Sequence, residues 1–66
     1  MKWEYLTIRL NTKLIYEAFD GDSVCDGDRS LVKLLNKLGL DRWEYAEYVN
    51  DKRNKLNYHL LKRSLP

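Results

Sequence analysis

Four aspartates, Asp20, Asp22, Asp26 and Asp28, fall within the nine residues "DGDSVCDGD". Carboxylates at that density are what a calcium loop offers a hard cation, but such a loop also needs glycine at its sixth place and glutamate at its twelfth. Counting from Asp20, those places hold Cys25 and Leu31; counting from Asp26, they hold Leu31 and Lys37. Both registers fail, and the stretch reads as an acidic turn that leads into a helix. A thiol–imidazole dyad would have to pair Cys25 with His59, the single cysteine and single histidine of the chain. A thiolate at Cys25 is disfavoured by the neighbouring carboxylates. Glu4 and Glu44, one from each of two "WEY" triplets, would serve acid–base chemistry if their strands were neighbours. A chain of 66 residues has little room for the concave, water-excluding pocket such chemistry needs. Gly21, Gly27 and Gly39 do not fit a phosphate-binding loop. The expectation is a protein that is not an enzyme, with no catalytic residue, no metal and no cofactor.

Basic residues suggest a different chemistry. Lys52, Arg53, Lys55, Lys62 and Arg63 lie in a C-terminal stretch without an acid, with Tyr58 and His59 among them. Together with Trp3 and Tyr5 on another strand, they would join phosphate contact to base stacking. Opposed to this are five acids between Glu17 and Asp28, a net charge of +2 and a pI near 8.8. Lysines and arginines also guard exposed strand edges, and that reading ranks above a nucleic-acid surface. The lone cysteine excludes an intrachain disulfide and fits a reducing compartment. Residues 1–15 hold no unbroken apolar run of the secretory type, and nothing approaches the ~20 apolar residues that span a bilayer. The expectation is a single-domain cytoplasmic protein with no membrane partner.

The elements that would position these residues follow from periodicity. "WEYLTIRL" (Trp3 to Leu10) alternates, with Leu6, Ile8 and Leu10 on one face and Trp3, Tyr5, Thr7 and Arg9 on the other, a strand pattern. "KLIYEAF" (Lys13 to Phe19) suits a second strand after a turn at Asn11-Thr12, or a short helical turn. Residues 20–28 read as a loop. Asp28 or Ser30 then caps a helix whose Leu31, Leu34, Leu35 and Leu38 form an apolar stripe. Gly39 is placed to take the left-handed cap, with Leu40 folding back on the last turn. "DRWEYAEYVND" is ambiguous. As a strand it puts Trp43, Tyr45, Glu47 and Val49 on one face and Glu44, Ala46, Tyr48 and Asn50 on the other. As a helix it has a capping-box spacing at Asp41 and Glu44 and approaches a helix-turn-helix layout. Residues 50–55 connect it to a strand over Leu56 to Arg63.

Three stretches, "MKWEY", "LNKLGLDRWE" and "YHLLKRSLP", resemble a small bacterial and phage domain family without an assigned function. Its members open on a Lys-Trp-Glu-Tyr strand. They carry a helix ending in Leu-Asn-x-Leu-Gly, closely followed by Gly-Trp-Glu, and close on a strand with Lys-Arg. The resemblance implies an α+β fold of the order β-(β)-α-β-β, with one helix on one face of a three- or four-stranded antiparallel sheet. It makes the second "WEY" a strand. The family usually has glycine just before the second tryptophan, where this chain has Arg42; if that place needs a positive φ, arginine is strained there. The family carries no established catalytic residues.

A single helix covers one face of such a sheet and leaves the other open. With eight aromatic residues in the chain (two Trp, five Tyr and one Phe), four leucines cannot cover them all. Trp3, Tyr5, Trp43, Tyr45, Tyr48 and Tyr58 are therefore the candidate protein interface, since Trp and Tyr suit a partly wet contact. The expected partner is a second copy or another protein. By analogy with phage proteins of this size, the latter would be a host protein on which a phage or mobile-element accessory protein acts. A chain this short also has a small core, which favours self-association.

Overall fold

A computed structural model describes residues 2–65; Met1 and Pro66, at the outer ends of two of the quoted stretches, lie outside the described residues. The elements are β1 (Trp3–Leu10), β2 (Tyr16–Asp20), β3 (Ser23–Asp28), α1 (Leu31–Leu40), β4 (Glu44–Asp51) and β5 (Leu56–Ser64). The strands form one antiparallel sheet in the order β3-β2-β1-β5-β4. The class is α+β, with five strands rather than three or four.

The extra strand is β3. Residues 20–28 lack apolar alternation, but Gly21 takes φ 64° and turns the chain back at once. Asp20 then faces Ser23, and the ladder runs on to Tyr16 opposite Asp28. An edge strand needs little apolar character of its own, which is why its composition reads as loop. Residues 42–50 are not helical: Glu44 to Asp51 pair along β5. The turn before β2 runs from Asn11 to Ile15 rather than at Asn11-Thr12. The Asn11 side-chain oxygen accepts from the amides of Lys13 and Ile15.

The core holds Leu6, Ile8, Ala18, Leu34, Leu38 and Leu61, with Tyr16, Leu31, Leu35 and Trp43 packed against it. Register explains the set. Leu6 faces Leu61 across β1 and β5, and Ile8 faces Ala18 across β1 and β2, so one side of the three central strands turns its small and branched residues toward α1. Leu10 belongs to the same face but is 49% exposed. A ten-residue helix is only about 15 Å long and does not reach it.

Ser30 caps α1, its hydroxyl accepting from the Lys33 amide. The far end corrects the cap expected at Gly39. Gly39 lies inside the last helical turn, and the left-handed residue is Arg42, at φ 69°. The Trp43 amide bonds to the Leu38 carbonyl and the Arg42 amide to the Gly39 carbonyl, the two bonds of a Schellman cap with Arg42 at C′. Trp43, not Leu40, makes the accompanying apolar contact; Leu40 is 86% exposed.

Candidate interaction surface

Faces follow from register. Tyr5 stands opposite Lys62, Thr7 opposite Leu60 and also opposite Phe19, and Tyr58 opposite Val49. These residues alternate with the buried ones, so they lie on the side away from α1. Trp3 joins them opposite Ser64, and Val24 opposite Phe19. The uncovered side of the sheet thus carries Trp3, Tyr5, Phe19, Tyr58, Leu60 and Val49 as neighbours, with Tyr5 about half exposed.

Two cations sit among them. The Lys62 ammonium lies 4.5 Å from the centre of the Trp3 ring, and the Arg9 guanidinium 4.7 Å from that of Phe19. Each caps an aromatic face. The Arg9 Nε is buried with no hydrogen-bond partner among the described residues. Acids flank this centre on both sides: Glu17 on β2, across from Arg9, and Glu44 and Glu47 on β4.

The six aromatic residues expected at one interface are divided by the structure. Trp3, Tyr5 and Tyr58 are on the uncovered side. Trp43 precedes β4 and packs against the core beneath Arg63, whose guanidinium is 4.2 Å from its ring centre. Tyr45 and Tyr48 point to the helix side, where both rings meet His59. Strict alternation puts Tyr45 and Tyr48 on opposite faces. A bulge prevents this: Tyr45 pairs with Leu61 and Glu47 with Leu60, leaving Ala46 without a partner. One extra residue restores a common side for two residues three apart. The two "WEY" triplets consequently present opposite faces, Trp3 and Tyr5 outward, Trp43 and Tyr45 toward the helix layer.

The candidate catalytic groupings are also separated. Glu4 pairs with Arg63 and Glu44 with Lys62; neighbouring residues of β5 point to opposite faces, so the two carboxylates are kept apart by the sheet. Glu4 forms an ion pair with Arg63, whose Nη1 also donates to the Asp41 carbonyl at 2.9 Å. This ties the start of β1 to the end of α1. Cys25 and His59 belong to β3 and β5, three strand spacings or about 14 Å apart. Partial burial first, and the Asp20 and Asp26 carboxylates next, push the Cys25 thiol up. Asp28 accepts from the Ser30 amide at 3.0 Å and binds Lys37 at 3.0 Å; these contacts hold its carboxyl below the usual range. Among the described residues no three His, Cys, Asp or Glu side chains gather as a metal site.

The five expected nucleic-acid contacts are dispersed as well. Lys52, Arg53 and Lys55 lie at the β4–β5 turn, Lys62 on the uncovered face and Arg63 on the helix side, engaged by Glu4. Sequence reasoning missed Arg9 and Phe19 as members of the surface. Alternation alone puts Arg9 on the face of Trp3 and Tyr5, but its stacking on Phe19 depends on the β1–β2 register, which no local pattern signals.

No protein-family model, curated protein or solved structure matches this chain. No helix among the described residues is long and apolar enough to cross a membrane.

Proposed function

We propose that this protein is a non-catalytic protein-interaction module that self-associates through the uncovered face of its sheet. The observation that carries the reading is the contiguous set Trp3, Tyr5, Phe19, Tyr58 and Leu60 on a side to which α1 contributes nothing. Two magnitudes support a second copy as the occupant. Five strands at ~4.8 Å spacing and about six residues of ladder give roughly 500 Å² in plan. Side-chain relief carries the accessible area toward the ~800 Å² per partner of a standard interface. Among the described residues the buried set is also only six, and a second layer on the open face would add the apolar burial that so short a chain lacks. The apolar centre with Glu17, Glu44 and Glu47 at its margins follows the pattern of an apolar core and polar rim.

The test is molar mass by light scattering between micromolar and millimolar chain. The expected result is a dimer at the upper end, and a shift toward monomer of at least tenfold in dissociation constant for Tyr5→Ala and Trp3→Ala with unchanged circular dichroism. A monomer at millimolar concentration, or variants that associate like the parent, overturns the reading. So does steeply salt-dependent capture of a mixed oligonucleotide by this face, which would transfer it to nucleic acid.

A further inference from the structure

A second surface lies on the other side of the sheet, where β1, β2 and β5 run beyond the reach of α1. A cleft of about 430 Å³ opens there, lined by Ile8, Leu10, Tyr16, Tyr48, Leu56 and His59 together with Arg9, Asn57 and Lys55. That volume lies within the range of small-molecule sites. No residue of α1 contributes to it.

Its lining has three properties in combination. The rings are held at fixed positions: His59 is central, its Nδ1 sharing a 2.9 Å hydrogen bond with the Tyr45 hydroxyl. Tyr48 and Tyr16 flank it with ring centres 4.9 and 6.5 Å away. The apolar wall is unsatisfied, with Leu10 49% exposed although it lines a concavity. The charge is one-sided. The chain has ten acids, yet among the described residues no carboxylate lines the cleft, while Lys55 is one of its lining residues and makes no ion pair. Lys55 sits at φ 53° as the last residue before β5, so its position is set by the turn. The Arg9 guanidinium lies on the opposite face over Phe19 and leaves Lys55 as the cation available here.

We propose that this cleft binds a small planar ring that bears an anionic group, the ring laid against the wall formed by Tyr16, His59 and Tyr48 and the anion at Lys55. Rings of this kind stack on aromatic side chains at a gain that does not depend on their identity. The single available cation of the lining then selects for a phosphate or carboxylate substituent.

The experiment is a titration of the isotope-labelled chain followed by amide and imidazole NMR shifts, with adenosine 5′-monophosphate, adenosine and inorganic phosphate as separate probes. Expected are saturable shifts at Leu10, Tyr48, Asn57 and His59 with the monophosphate, at least fivefold weaker binding of adenosine, and no localised shift with phosphate. Tyr48→Ala, at an exposed edge position, and Lys55→Asn, which tolerates the turn's left-handed backbone, should each weaken the monophosphate at least fivefold. Equal binding of adenosine removes the anion from the proposal. Shifts confined to Trp3 and Tyr5, or none that saturate, overturn the site.

Discussion

Arg42 is held at φ 69°, a conformation that costs a residue with a β-carbon roughly 1–2 kcal/mol. The Schellman cap requires it, because the Trp43 and Arg42 amides can reach back to Leu38 and Gly39 only if the chain reverses there. The Arg42 side chain is exposed, so little packing offsets the strain. Arg42→Gly should therefore stabilise the fold by about 0.5–1 kcal/mol, part of the relief being returned by the greater freedom of glycine in the unfolded chain. Urea unfolding would show it as a higher midpoint at unchanged slope; an unchanged or lower midpoint would mean that the arginine makes contacts that outweigh its backbone. At Cys25 the combined effect of partial burial and the Asp20 and Asp26 charges is a suppressed thiolate. Alkylation by iodoacetamide near pH 8 should be slower than for an unstructured cysteine peptide, and the rate should rise in Asp26→Asn, whose substitution removes one of those charges.

Within α1, Gly39 stands at a helical position, and a β-carbon built there meets nothing within 4 Å. A glycine inside a helix costs about 0.8–1 kcal/mol relative to alanine. Gly39→Ala should raise stability by roughly that amount, checked by the thermal midpoint and by helical ellipticity; a fall would place Gly39 as the cap after all. The same element shows what a sequence makes legible. The leucine stripe gives the helix and its inward face, since Leu34 and Leu38 are buried, and alternation in β1 gives Leu6 and Ile8. That an arginine at position 42 would be strained if its place needed a positive φ was also foreseeable. The place of the cap was not. Gly39 is the residue type that favours a left-handed turn, but the cap is set by where Trp43 can reach the core, three residues after Leu40 has passed into solvent. Strand β3 and the Ala46 bulge were hidden for a related reason. Both are determined by the partner strand: β3 by its ladder with β2, and the bulge by the register of β4 on β5. Half of the candidate surface was readable for the same cause. Trp3 and Tyr5 follow from alternation within one strand, whereas Tyr45 and Tyr48 are turned to the helix side by a register irregularity.

Over the whole molecule, a thin core makes stability sensitive to proton binding at scattered sites. Contacts with the Ser30 amide and Lys37 lower the Asp28 carboxyl, bonds from Asn54 and Arg53 lower that of Asp51, and burial lowers the His59 imidazole. All three bind protons more weakly in the folded chain than in the unfolded one. Stability from such groups is present above their unfolded values, about 6.5 for histidine and 3.9 for aspartate. It is lost as pH falls through the lowered folded values, because the unfolded state then takes up more protons. On the alkaline side the order reverses. The Lys37 ammonium is raised by Asp28 and the Cys25 thiol by burial and its acidic neighbours. Their contribution is complete below the unfolded values and declines as pH rises past about 8.5 for the thiol and then about 10.4 for the amine. A plateau between about pH 6.5 and 8.5 follows, with a shallow loss through histidine and a steeper one through the carboxylates. Urea midpoints at a fixed chain concentration, taken across pH 3 to 10, would trace it. Asp28→Asn should lower the plateau, because the ion pair with Lys37 is gone, and flatten the descent below about pH 4, because one proton-linked group has been removed. If the variant descends as steeply as the parent, acid unfolding is governed by other carboxylates and the Asp28–Lys37 contact does not hold α1 to β3.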